Sequence, residues 1–262
     1  MACVDPTFVA DHIDQDSRGV PQIEARTVSP AVQAIVDSVG ADTDVLRRLL
    51  QARVEDLIGY QDARYAGRYA EGVKEVLDAE RRVTPGSTAL AETVARYLYK
   101  LMAYKDEYEV ARLHVDPAFL AQLRRQCQPG TRVRYQLAPP LLARRDPTTG
   151  SPRKRSYGAW VLTIFRLLAR LKGLRGGRFD PFGWTAERRL ERQLIEDYRR
   201  RLAQICASLT TANHEIAVRV AAVPDEIRGY GHVKQQSIRS AREIEARLLE
   251  EFRGRGGVRA AA

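Results

Sequence analysis

From Val45 onward apolar residues return at intervals of three and four: Leu46, Leu49, Leu50, Val54, Leu57 and Ile58. That spacing lines one face of a helix. Tyr65, Tyr69, Val73, Val76 and Leu77 continue the stripe until Thr84-Pro85-Gly86 stops it. Gly59, Gly67 and Gly72 each cost about 1 kcal/mol relative to alanine inside a helix, so the stretch reads as one long helix or as two. Asp42 or Thr43 can cap its start by accepting an unpaired amide hydrogen. Residues 1–44, with Gly19, Pro21, Pro30 and Gly40, show no sustained period and read as an N-terminal extension.

A second helical pattern opens at Ser87 and runs through Leu90, Val94, Tyr97, Leu98, Leu101, Tyr104 and Tyr108 toward Leu113. Asp116-Pro117 is a cap followed by proline at the first helical position, which predicts a short helix over 118–127 ended by Pro129-Gly130. Residues 131–137 alternate Arg132, Arg134 and Gln136 with Val133, Tyr135 and Leu137, the period of a strand, and a hairpin return is expected within 152–157. Further helices are expected at 160–171, 186–209, 212–223 and 234–252, with turns at Gly173, Gly176 and Gly177 and at Gly229-Tyr230-Gly231. The fold class is therefore mainly α, a helical domain over 45–253 with a small β-hairpin and a flexible tail at 254–262.

Composition changes this picture little. Hydrophobic residues at 44% and charged residues at 29% of 262 fit a folded, soluble chain. The best apolar run, Trp160 to Leu171, is broken by Arg166 and Arg170 and falls short of the ~20 residues a membrane span needs, so no transmembrane span is expected. The first sixteen residues carry Asp5, Asp11, Asp14 and Asp16 and do not read as a secretion signal. With three scattered cysteines, Cys3, Cys127 and Cys206, a cytoplasmic location is expected.

Charge changes it more. Between Leu141 and Asp180 ten Lys and Arg residues face two Asp, a local net charge of +8 within a chain of +10. Such a span attracts an acidic protein or a phosphate-bearing ligand, although basic runs most often only solvate a surface. Within and beyond it, Arg153, Lys154, Arg155, Lys172, Arg175, His232 and Lys234 are candidate anion or partner contacts. Trp160, Phe165, Phe179, Phe182 and Trp184 intersperse the basic residues, as in stacking platforms for nucleic acid. Nucleic acid is nevertheless disfavoured, because Trp160 and Phe165 fit a core-facing pattern and no recognised binding motif is present.

Candidate chemistry is sparse. On a continuous helix Lys100, Tyr104 and Glu107 would share one surface, with Arg112 beside them, forming a polar cluster or the wall of a ligand site. No residue carries a catalytic signature. His12, His114, His214 and His232 lack metal-ligand spacing, so no metal site is expected. Three cysteines cannot supply the four thiolates of an ordinary iron-sulfur cluster.

Five passages in order, TVARYLYKLMAYKDEYEVAR at 93–112, LAPPLLARRD at 137–146, FRLLARLKGLRGG at 165–177, DPFGWTAERRL at 180–190 and IRGYGHVK at 227–234, resemble the C-terminal region of indolepyruvate ferredoxin oxidoreductases. These belong to the 2-oxoacid:ferredoxin oxidoreductase superfamily. The resemblance implies thiamine diphosphate and iron-sulfur clusters in partner regions that this chain lacks, and no cofactor in the chain itself. It implies a non-catalytic accessory domain or subunit that organises a catalytic oxidoreductase subunit. The alternative reading is an independent anion- or nucleic-acid-binding module.

Overall fold

The computed structural model describes residues 28–128, 131, 133–137 and 155–256. These form two compact units, one containing Glu107–Leu171 and the other Val28–Asp106 with the chain from Lys172 onward. The protein is mainly helical with one two-stranded antiparallel hairpin, as the periodicities predict.

The larger unit begins with α1 (Pro30–Val39), α2 (Asp44–Tyr60), α3 (Ala63–Val83) and α4 (Ala89–Met102). Helix α1 lies within the stretch read as an extension. Ser29 caps it, and it buries Val32, Val36 and Val39 in the main core. Its apolar positions fall one turn apart, but ten residues are too few for a stripe to stand out beside Pro30 and Gly40. The 45–84 pattern resolves into two helices, because Asp62 caps α3 with its side chain on the Tyr65 amide at 2.7 Å.

Four buried tyrosines tie this core together. Tyr60, Tyr65 and Tyr69 donate their hydroxyls to the carbonyls of Tyr104, Met102 and Ala95 at 3.0, 2.9 and 2.8 Å. Tyr198 does the same to Ala221 at 2.8 Å. A phenol can enter a core only when its hydroxyl finds such a partner.

At the other end of α4 the fully buried Glu80 carboxylate accepts from the amides of Leu90 and Ala91, both at 2.9 Å, and from Ser87 Oγ at 3.0 Å. An anion placed there answers the unpaired amides of a helix start. The unit is completed by α8 (Ala186–Ala207), α9 (His214–Ala221) and α10 (Gly231–Arg255).

The smaller unit holds α5 (Glu107–His114), α6 (Pro117–Gln126), β1 (Tyr135–Leu137), β2 (Arg155–Tyr157) and α7 (Val161–Arg170). Asp116 caps α6 and Pro117 opens it, as predicted. The strands pair Tyr135 with Tyr157 and Leu137 with Arg155. A small core of Ala111, Tyr135, Val161 and Phe165 forms between α5, α7 and β1. His114 sits in it, its ring 5.1 Å from that of Phe165 and 6.0 Å from that of Tyr135. Its Nδ1 lies 2.7 Å from the Val110 carbonyl.

Candidate functional site

The feature most unlike ordinary core or solvated surface is the segment from Lys172 to Thr185, and its construction starts at the far end of α2. The last carbonyls of a helix have no partners within it and carry its negative end. The last turn of α2 contains no basic residue to answer them. The loop supplies the cations instead. Lys172 Nζ donates to the carbonyls of Ile58 and Gly59 at 2.9 and 2.8 Å, and Arg175 donates to that of Tyr60.

Arg175 is then locked from its other side. Its guanidinium grips Asp106 in two parallel bonds, Nε to Oδ2 at 2.5 Å and Nη2 to Oδ1 at 2.8 Å, with both side chains 3% exposed. Its central carbon also lies over the Tyr60 ring, 3.6 Å from the centroid. Burial works against the guanidinium charge, but the Asp106 hydrogen bonds and the neighbouring Tyr60 outweigh it, so Arg175 holds its proton more firmly than a free arginine.

Further along, Gly176 turns with φ 71°, a conformation that costs glycine nothing. Its amide donates to the buried Asp180 at 2.7 Å, and the same carboxylate accepts from the Phe182 amide at 3.1 Å. Gly183 passes so close that a Cβ there would stand 2.6 Å from Asp180 Oδ2. Arg192 on α8 holds the Gly183 carbonyl at 2.7 Å, and Thr185 caps α8 through the Arg188 amide. On this framework Phe179 and Trp184 stand 83% and 73% exposed, with Arg178 exposed beside them. Large exposed aromatic groups on a strapped loop are the composition of a contact surface.

The sequence-predicted residues are distributed differently from expectation. Lys100, Tyr104 and Glu107 do not share a helical surface, because α4 stops at Met102 and α5 starts at Glu107. Lys100 reaches the Asp225 carbonyl at 3.0 Å, Tyr104 is buried in the main core, and Arg112 grips Glu109 at 2.7 and 2.8 Å. The helix breaks there because Asp106 and the carbonyls of Met102 and Tyr104 are taken by tertiary partners. Lys172 and Arg175, proposed as anion contacts, point inward as caps. Lys234 is answered by Glu191 at 2.6 and 2.8 Å, whereas His232 and Arg155 are exposed. Arg153 and Lys154 lie outside the described residues. Trp160, expected to face a core, is 59% exposed, while Phe165 is buried.

Sequence reasoning missed the roles of Asp180 and Glu80. Asp180 had a usable signal in Asp180-Pro181-Phe182-Gly183, a sequence in which an aspartate readily bonds its own backbone two residues on. Glu80 had none, since its partners lie in three separate segments.

Side-chain chemistry around these groups does not assemble a reaction centre. His214 Nε2 lies 2.7 Å from Glu80 Oε1, the oxygen that also accepts from Ser87. The carboxylate thus stands between the hydroxyl and the imidazole, whereas a nucleophilic triad needs the imidazole in the middle to take the hydroxyl proton. Burial raises the pKa values of Tyr60, Tyr65 and Tyr104, keeping those hydroxyls protonated. Burial also pushes the Cys206 thiol up to about 11, away from reactive thiolate. No group of three His, Cys, Asp or Glu side chains that could hold a metal ion occurs among the described residues.

A groove of about 410 Å³ between α8 and α10 has Leu194, Val223 and Ile238 in its lining, together with Arg200 and Arg201, which pair with Asp197 and Glu245.

Residues 46–247 match the model of a family of unknown function, DUF6537. The chain belongs to this family. No curated protein and no solved structure matches it. The expected association of this DUF6537 chain with indolepyruvate ferredoxin oxidoreductases is thereby corrected, since nothing it matches ties it to them. The quoted passages suggested that association, but the family that covers them carries no stated activity, and no named relative supplies one. Among the described residues, no helix is long and apolar enough to cross a membrane.

Proposed function

We propose that the chain is a non-catalytic organising module that acts by docking a partner protein through the Lys172–Thr185 loop. The carrying observation is the pairing of two nearly naked aromatic side chains, Phe179 and Trp184, with a backbone strapped by Arg175, Asp180 and Arg192. A chain that leaves Phe and Trp in water forgoes about 1.5–3 kcal/mol for a large apolar side chain that burial would return. Holding them in a fixed geometry lowers the entropy lost on association, which is how preorganised contacts raise affinity. Arg178 beside them favours a partner with a carboxylate at the rim of its apolar pocket.

A protein partner is favoured over a free anion or nucleic acid by the fate of the basic span. Lys172 and Arg175, which would have met phosphates, are consumed by the α2 carbonyls and Asp106. The test is recovery of native complexes on tagged full-length chain, comparing wild type with Phe179→Ala/Trp184→Ala. A defined partner that copurifies at fixed stoichiometry with wild type and is lost from the double variant is the expected result. Complexes unchanged by the substitutions, or held only through nuclease-sensitive nucleic acid, refute the docking role.

A further inference from the structure

The groove between α8 and α10 is held open by its own frame. Two ion pairs tie these helices together, Lys234 to Glu191 at 2.6 Å and Arg201 to Glu245 at 3.2 Å, and the lining positions Leu194, Tyr198, Ile238 and Ala241 fall between them in sequence. A cleft fixed in this way exists before a ligand arrives. Its volume of about 410 Å³ lies within the range of about 300–1,000 Å³ typical of small-molecule sites.

The floor is aliphatic, made by Leu101, Leu194, Val223, Ile227 and Ile238. Tyr198 adds a ring whose hydroxyl is already engaged on the Ala221 carbonyl at 2.8 Å, so a hydrocarbon laid over it strands no polar group. The charges of the lining are unequal: Arg200, Arg201 and Arg242 stand with Asp197 and Glu245, a surplus of one positive charge. Arg200 pairs with Asp197, and Arg201 with Glu245 and with Gln204 at 2.8 Å. Arg242 is exposed and has no hydrogen bond or ion pair among the described residues. A guanidinium at the edge of an apolar cleft, with its fork unanswered, matches the planar head of a carboxylate. We infer that the groove binds a small aliphatic carboxylate, its hydrocarbon chain lying on Leu194, Val223 and Ile238 and its head meeting Arg242. The groove shares no residue with the Lys172–Thr185 loop, so such a ligand binds whether or not the loop docks a partner.

The test is calorimetric titration of the full-length chain with decanoate below its micelle concentration, with decanol and decyltrimethylammonium as the uncharged and cationic counterparts. Wild type is expected to bind decanoate saturably at one site, decanol at least about tenfold more weakly, and decyltrimethylammonium not at all. Arg242→Gln is expected to weaken decanoate about tenfold, to the level of decanol, which it leaves unchanged. Because Arg242 is exposed, this substitution spares the fold, and circular dichroism checks that helix content is equal. Methyl NMR locates the chain: decanoate should shift the signals of Leu194, Val223 and Ile238. Four results overturn the inference: no saturable binding of decanoate, equal affinity for decanoate and decanol, affinity unchanged by Arg242→Gln, or methyl shifts confined to residues outside the groove.

Discussion

Arg175→Met removes one half of the buried pair that strings the loop to the core, and its cost follows from what it leaves behind. The methionine keeps roughly the length of the side chain but not the charge, so the Asp106 carboxylate loses its bidentate cation at 3% exposure, and the Tyr60 carbonyl loses the Arg175 donor. Breaking one side of a buried, bidentate pair costs about 3–5 kcal/mol. At about 2–4 °C per kcal/mol for a folding unit of 150–250 residues, the unfolding midpoint should fall by about 6–20 °C. Thermal and urea unfolding followed by circular dichroism at 222 nm measure both, and an unchanged urea slope certifies that the exposed area is the same. The decisive comparison is Arg175→Met/Asp106→Leu. With the stranded charge gone, replacing the pair by apolar groups is close to neutral, so the double variant should be more stable than Arg175→Met alone. A loss below about 1 kcal/mol in Arg175→Met would place the pair among screened surface contacts. Losses that simply add in the double variant would refute coupling between Arg175 and Asp106.

Glu80→Gln should destabilise the chain by about 1.5–3 kcal/mol, the worth of hydrogen bonds to a charged group, since an amide nitrogen must face one of the two α4 amides it formerly accepted from; urea unfolding measures this. Gly183→Ala should cost about 1–3 kcal/mol by overpacking, because its Cβ pushes Asp180 off the Gly176 and Phe182 amides. In a Trp160→Phe background the fluorescence anisotropy of Trp184 should then fall, and unchanged anisotropy would show that Asp180 does not hold the loop. Acid should weaken the smaller unit. Burial lowers the His114 pKa below its usual 6.5, against a smaller opposing effect of the Val110 carbonyl, so the unfolded chain takes up the proton first. Stability is full above about pH 6.5, declines as pH falls from there through the lower folded value, and is level below it. Melting followed by Trp160 emission in a Trp184→Phe chain should show that decline, and His114→Gln should flatten it.

The helices were legible because their cause is local. Periodicity placed α7 and α8, the Asp116-Pro117 cap placed α6 and the alternation before Leu137 placed the hairpin, each to within a few residues, because these signals act on their own neighbours. The break between α4 and α5 was not legible. Lys100 through Glu107 continues the spacing of a helix, and nothing within that stretch announces that the carbonyls of Met102 and Tyr104 are claimed by Tyr65 and Tyr60 some forty residues earlier. The expected surface of Lys100, Tyr104 and Glu107 rested on one continuous helix, whereas the three residues belong to α4, the segment after it and α5.

The basic span shows a different limit. An arginine that caps a helix and one that awaits a partner are the same in sequence, because both answer oxygen atoms carrying negative charge, and only the fold says whose oxygens those are. Arg175 finds them on Tyr60 and Asp106, and Lys172 finds them on Ile58 and Gly59. The span's net charge therefore overstates what a partner can feel. It also hides a use that charge counting does not suggest: the inward cations fix the loop that carries Phe179 and Trp184 outward. If this is how the loop works, charge and contact separate under mutation. Replacing Arg178, which is exposed, should alter the salt dependence of docking, whereas replacing Arg175, which is buried, should weaken docking equally at all ionic strengths through the loss of loop geometry. The two arginines stand three residues apart in one basic run, and the fold buries one and exposes the other.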